Sequence, residues 1–203
     1  MRVLVACEYS GVVRDAFISR GHNAISCDLL PTDAPGPHHQ GDVIEYLNRF
    51  DDGYFDLIVA HPDCTCLCVA GNKHYGEGKP KYQMRLDAAK WTQDFWDLAK
   101  RKAHSVAFEN PVSVIGGLTT LPKASYVQPY EHGHMEQKKT GLHLHNLPPI
   151  KETNNVYDAM MKLPKIQRER IFYMPPSPDR WKIRSTTYTG IAQALAEQWS
   201  MQD

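Results

Sequence analysis

Short apolar runs alternate with amphipathic stretches through the first 110 residues. Residues 3–7, Val-Leu-Val-Ala-Cys, form a continuous apolar run, the pattern of a strand buried on both faces. A helix should open after Ser10, its expected N-cap, with Val13, Ala16 and Phe17 on one face and Gly21 as the stop. Residues 23–27 predict a second strand ending at Asp28, followed by a loop with three prolines between 31 and 37. Asp42 and Glu45 have the spacing of a capping box, which predicts a helix through Phe50. Residues 55–60 predict a strand that runs straight into His61-Pro62-Asp63-Cys64. Residues 69–82, rich in glycine and lysine, read as a mobile loop. A long helix is expected over 83–102, with Met84, Ala88, Trp91, Phe95 and Leu98 as its core stripe. Residues 105–108 predict a strand ending at Glu109-Asn110-Pro111.

This alternation of strand and helix implies an α/β fold with a mostly parallel sheet, right-handed crossovers and flanking helices. After residue 112 the pattern loosens. Hairpin-like segments stand at 126–128 and 142–147, residues 148–187 carry little signal, and a last helix is expected over 190–201 with Ile191, Leu195 and Trp199 on one side. No repeat or linker interrupts the chain, so residues 1–203 read as a single domain.

Composition narrows the function classes. The 203 residues suit one well-filled core, and 42% hydrophobic with 23% charged residues is an ordinary globular balance. The formal net charge is zero, which removes a global basic excess as an argument for nucleic-acid binding and leaves a local basic face open. No run approaches a membrane span, and the opening residues are too short and strand-like for a signal peptide; a cytoplasmic protein with no membrane partner is expected. Five cysteines, three of them within Cys64-Thr65-Cys66-Leu67-Cys68, read as free thiols of a reducing compartment. The Cys-x₂-Cys step of structural zinc is missing, so no metal is expected.

Ligands of open parallel sheets bind outside the carboxyl ends of the strands. There the sequence places Glu8-Tyr9-Ser10-Gly11, Asp28, Asp42, Cys64 and Glu109. A tight Ser-Gly turn lets backbone N–H groups approach a ligand, and an acid about twenty residues later can take two ribose hydroxyls. Without a full Gly-x-Gly-x-x-Gly, an adenosine cofactor lacking phosphates is favoured over a dinucleotide.

In order and spacing these motifs resemble the DNA cytosine-5 methyltransferases, across nearly the whole chain. Cys7-Glu8-Tyr9-Ser10-Gly11 resembles the family's first cofactor loop, Asp28 its ribose acid, and Gly41-Asp42-Val43 its step near the adenine. His61-Pro62-Asp63-Cys64 resembles the catalytic Pro-Cys loop, and Glu109-Asn110-Pro111 the Glu-Asn step. Gln137-Lys138-Lys139-Thr140 echoes the family's basic strand, and Tyr188-Thr189-Gly190-Ile191-Ala192 its closing helix. The resemblance implies a Rossmann-like class I methyltransferase fold binding S-adenosyl-L-methionine through Glu8, Tyr9, Ser10, Gly11, Asp28, Asp42 and Pro62. It further implies Cys64 as nucleophile on cytosine C6 and Glu109 at N3, either protonated or sharing a proton, which burial would favour. Asn110, Lys139 and Arg184 would contact the substrate, DNA or a cytosine nucleotide.

Short proteins of this kind occur in phages, where the compartment would be the host cytoplasm. Only residues 141–183 fill the gap in which the family carries its target-recognition domain, too few for a separate domain. Acting on a duplex base requires flipping it out, and Lys73, His74, Lys79 and Lys81 of the 69–82 loop stand ready to assist. A homo-oligomer is neither required nor excluded. Two other readings remain open at this point. Residues 61–64 also resemble the Asn/Asp-Pro-Pro-aromatic loop of amino-group methyltransferases acting on N4-cytosine or N6-adenine, and a cofactor-binding protein without catalysis would share the first half of the pattern.

Overall fold

The computed structural model describes residues 1–200. Its strands are β1 (Arg2–Ala6), β2 (Asn23–Asp28), β3 (His38–Gln40), β4 (Phe55–Ala60), β5 (Ala103–Pro111), β6 (Ser125–Val127) and β7 (Thr140–His145). All seven join one sheet in the order β3-β2-β1-β4-β5-β7-β6. The first five run parallel, while β7 inserts antiparallel between β5 and β6. This is a Rossmann-like arrangement, and the order reverses at β1/β4, the point at which open α/β sheets bind ligands beyond the carboxyl ends of their strands.

The helices are α1 (Val12–Ser19), α2 (Val43–Leu47), α3 (Asn72–Tyr75), α4 (Tyr82–Lys102), α5 (Ile115–Leu118), α6 (Tyr157–Met161), α7 (Lys165–Arg168), α8 (Arg170–Tyr173), α9 (Arg180–Ser185) and α10 (Thr189–Trp199). Period-two alternation divides the central strands between two cores. Leu4, Ala6, Ile58 and Phe108 meet Leu47 of α2 and Phe95 and Trp96 of α4. Val3, Val5, Val59 and Ala107 meet Phe17 of α1 and Leu195 and Trp199 of α10. Strands buried on both faces need apolar residues at every position, which is why they read as unbroken runs.

Several expectations shift. On α4 the buried residues are Arg85, Ala89, Thr92, Phe95, Trp96, Leu98, Ala99 and Lys102, whereas Met84 and Trp91 are exposed. The buried face is rotated because Arg85 turns inward and its Nε donates to the Cys66 carbonyl at 2.7 Å. Ser10 does not occupy the cap of α1; Gly11 does, in a left-handed conformation. Strand β3, His-His-Gln, has no apolar pattern and escaped the reading. The last helix spans Thr189–Trp199 with Ile191, Leu195 and Trp199 buried; its expected end at Met201 lies outside the described residues. Residues 157–185, silent in sequence, hold four short helices. Within 69–82, a 3₁₀ turn at Val69–Gly71 and α3 replace an open loop. No helix among the described residues is long and apolar enough to cross a membrane.

Candidate active site

The loop after β1 is organised by a carboxylate. Glu8, buried, accepts from the N–H groups of Val13 at 2.7 Å and Arg14 at 3.2 Å, and from the Ser10 hydroxyl at 3.1 Å. It therefore acts as the cap that Ser10 was expected to provide, and its oxygens face the helix rather than a cofactor. That corrects the expectation for Glu8. The N–H groups of Tyr9, Ser10 and Gly11 take no hydrogen bond among the described residues, so three consecutive donors remain at the end of β1. Tyr9 is buried, with its ring 5.6 Å from Trp181 and its hydroxyl 3.1 Å from the Ser185 hydroxyl.

Arg14 lies fully buried beneath the proline loop. Its Nη1 donates to the Ser26 and Thr32 hydroxyls, and its Nη2 to the Ala34 and Pro35 carbonyls at 3.2 and 3.0 Å. A Cβ on Gly11 would come within 2.5 Å of that guanidinium, and one on Gly36 within 2.7 Å. Both glycines also have positive φ, so side chains are excluded there by conformation and by contact. The cation thus holds the 31–37 loop against the first loop, a role that a charged residue does not announce in sequence.

Three carboxylates surround the start of this loop. Burial, then the charge of Asp28, the Cys27 thiol, Asp42 and Asp63, push the Cys7 thiol far above its ordinary value. Asp28 accepts from the Leu30 N–H through Oδ1 at 2.9 Å, leaving Oδ2 free. Asp42 caps α2 through Oδ1 alone, accepting from Ile44 and Glu45. Beside Asp28, Leu29 is 71% exposed, an apolar side chain left facing outward next to a carboxylate. A carboxylate oxygen for a ribose diol, an uncovered apolar neighbour for a purine face and three free amides for an amino-acid carboxylate together fit the donor set that adenosyl-methionine requires.

Cys64 follows β4 and Pro62, which is buried. Its loop turns tightly: Leu67 and Cys68 donate their N–H groups to the Cys64 carbonyl, and Leu67 is fully buried. Burial, with the negative charge of Glu109, the Cys68 thiol and Asp63, pushes the Cys64 thiol up to about 12. Asp63 Oδ1 is engaged by the Thr65 N–H and hydroxyl. All five cysteines are free thiols, and no group of three metal-ligating side chains occurs among the described residues.

The end of β5 brings Glu109 against His61, with Nδ1 and Oε2 3.2 Å apart. Burial would lower the imidazole, but the hydrogen bond and charge of Glu109, with the charge of Glu8, hold it above its ordinary value. Burial would raise the Glu109 carboxyl, yet His61 and Lys138 hold it below the usual range. The expectation that Glu109 holds or shares a proton thus gains a partner: His61 and Glu109 lie within hydrogen-bond distance, and each shifts the other towards its charged form. His61 Nε2 has no partner and is shielded from solvent.

The remaining candidates separate. Asn110 is buried with neither side-chain polar atom bonded, and strand alternation sends it to the face opposite Glu109. Lys139 is exposed and lies over the Tyr126 ring at 4.2 Å, whereas it is the charge of the neighbouring Lys138 that acts on His61 and Glu109. Lys138 Nζ also donates to the Arg184 carbonyl at 2.7 Å, which places α9 beside the site. Sequence reading missed His61, Arg14 and Lys138; for Lys138 the signal was the Lys-Lys pair itself. A surface depression of about 740 Å³ is open and is lined by Tyr130, Tyr157 and Lys162, none of them in this group.

No protein-family model and no curated protein matches the chain. Among solved structures it is similar to a protein assigned as a DNA modification methyltransferase encoded within an E. coli prophage, at 11% identity and a TM-score of 0.43, over 82% of this chain and 56% of that one. It is also similar to WbdD, solved with the kinase inhibitor LY294002, at 12% identity and a TM-score of 0.45, over 70% of this chain and 35% of that one. The chain thus spans about half and about a third of those two proteins. The fold rests on the strand order itself.

Proposed function

We propose that this protein is an S-adenosylmethionine-dependent methyltransferase that modifies carbon 5 of cytosine in DNA, or in a cytosine nucleotide, through a covalent bond to Cys64. The observation that supports this reading is the placement of Cys64 in the loop after β4 and of Glu109 on the adjacent strand β5, where Ala60 lies opposite Phe108, so both groups belong to the same edge of the sheet. It lies beside a strand end that fits an adenosyl-methionine donor.

Asp28 would take the ribose, Leu29 one face of the adenine, and the Tyr9–Gly11 amides the amino-acid carboxylate, with Asp42 near the adenine. The bound sulfonium supplies an electrophilic methyl group and a positive charge that opposes the carboxylates raising Cys64. Cytosine C5 is a weak nucleophile until C6 is attacked. Cys64 Sγ would give up its proton to water and form the bond to C6, while N3 receives a proton from the His61–Glu109 pair. With a single shared proton, the pair passes from imidazolium–carboxylate to neutral imidazole–carboxylate as N3 is protonated. Electron density then rests at C5, which takes the methyl group; water then accepts the C5 proton, the S–C6 bond breaks, the departing sulfur is reprotonated from water and N3 returns its proton to His61. Lys138 stabilises the carboxylate once His61 is neutral.

The test is mass spectrometry of nucleosides from cells expressing the protein beside a Cys64→Ser control. A methyl increment on deoxycytidine that disappears in the variant is the expected result. An increment that survives moves the chemistry to an exocyclic amine, and none in either strain ends the reading.

A further inference from the structure

Seven Lys or Arg residues against two acidic ones lie between residues 162 and 184, in a chain with no net charge. In the same segment Ile166, Phe172, Tyr173, Trp181 and Ile183 are 42–61% exposed. Single exposed apolar residues are ordinary, but five within eighteen positions, interleaved with cations, are not. Arg180 and Arg184 form no ion pair among the described residues, and Nε of both Arg168 and Arg180 is shielded from solvent without a partner.

The segment is tied to the candidate site. Arg170 of α8 pairs with Glu136 at 2.9 Å, and Glu136 also accepts from the Tyr188 hydroxyl. Two residues on, Lys138 holds the Arg184 carbonyl of α9 and contributes to the potential at His61 and Glu109. At its other end, α9 sets Trp181 against Tyr9 and pairs Lys182 with Asp33 at 3.1 Å. Helices α8 and α9 therefore flank the 136–138 strap, and α9 bridges it to the first loop.

We propose that the face built by residues 162–184 is a platform for single-stranded DNA, with bases stacking on Phe172, Tyr173 and Trp181 and phosphates meeting Arg168, Arg180 and Arg184. Exposed rings among cations suit unpaired bases, whose π-faces are free, and a duplex hides those faces. Helices of four and six residues offer no continuous amphipathic face to a bilayer. The identity of the polymer rests on the cytosine-in-DNA reading; the exposed rings and the excess of cations in the segment are independent of it.

The experiment is fluorescence anisotropy with a labelled single-stranded oligodeoxynucleotide and full-length Cys64→Ser protein without cofactor, so that binding is read apart from turnover. Binding should weaken as salt rises. Phe172→Ala and Trp181→Ala should each weaken it by about 5- to 100-fold. Arg180→Gln with Arg184→Gln should reduce the slope of log affinity against log salt by about 1.4. Phe172 is the safer variant because its ring makes no aromatic contact, and thermal melts confirm that each variant is folded. Unchanged affinity in folded variants overturns the proposal, as does tighter binding to the matching duplex, to single-stranded RNA or to phosphatidylserine vesicles. Tight single-strand binding without modified deoxycytidine would end the methyltransferase reading alone; deoxycytidine modified without such binding would end the platform alone.

Discussion

His61 and Glu109 face each other between the ends of β4 and β5, Nδ1 to Oε2 at 3.2 Å, and each fixes the other's charge. The imidazole is held above its ordinary 6.5 and the carboxyl below its ordinary 4.5. Glu109 contributes stability that is present above 4.5 and lost as pH falls through its lowered folded value. The His61 contribution is complete below 6.5 and lost as pH rises through its raised folded value. Thermal melts across pH should therefore show this pair's stabilisation intact from 4.5 to 6.5 and fading on either side. In His61→Gln the alkaline fade should vanish. A fade that persists unchanged would show that another group causes it.

Cys64, pushed up to about 12, is a thiol at neutral pH. Its alkylation by iodoacetamide, followed by peptide mapping, should be slow and should accelerate roughly tenfold per pH unit as thiolate forms. Adding S-adenosylmethionine should raise the rate more than the uncharged S-adenosylhomocysteine does, because only the first brings a cation beside the carboxylates. Equal effects would count against the sulfonium lying near Cys64.

Glu8 caps α1 in place of the expected serine. Glu8→Ala should cost about 1–2 kcal/mol, lowering the melting temperature by about 2–8 °C for a chain of this size. Ser10→Ala should shift it far less, since the Ser10 hydroxyl receives only the 3.4 Å contact from the Val12 N–H. Reversed magnitudes would restore Ser10 as the cap.

Arg14→Met keeps the buried stem and removes the donors that hold the proline loop. The carbonyls of Ala34 and Pro35 and the Ser26 and Thr32 hydroxyls lose a partner, at a total cost of about 2–4 kcal/mol. Limited proteolysis should then cut within 31–37 well before the rest of the chain. A variant as resistant as the parent would mean that the loop holds itself.

Lys138 and Lys139 should separate in function. Lys138→Ala removes a cation that lowers both His61 and Glu109, so methyl transfer should fall by about tenfold or more and the alkaline fade of stability should move to higher pH. Lys139→Ala, on the exposed side over Tyr126, should leave both near the parent values. Equal losses would reassign the substrate contact.

The sequence by itself determined the central parallel strands β1, β2, β4 and β5. Runs such as 3–7 and 55–60 are apolar at every position because parallel strands are covered on both faces, and that pattern is local enough to read without coordinates. It also put Asp28, Asp42, Cys64 and Glu109 at strand ends, since position after a strand is a matter of order along the chain. Only the tertiary structure decided what each of those groups touches. Glu8 turned to cap a helix, Arg14 went under a loop, and Lys138 bound the Arg184 carbonyl while its neighbour lay over Tyr126. The His61–Glu109 bond joins residues 48 apart, and the proton's location follows from burial and charge brought together by folding. Strand β3 and residues 157–185 were hidden because short polar elements are held by long-range contacts such as Lys138 to Arg184, which leave no period in the sequence.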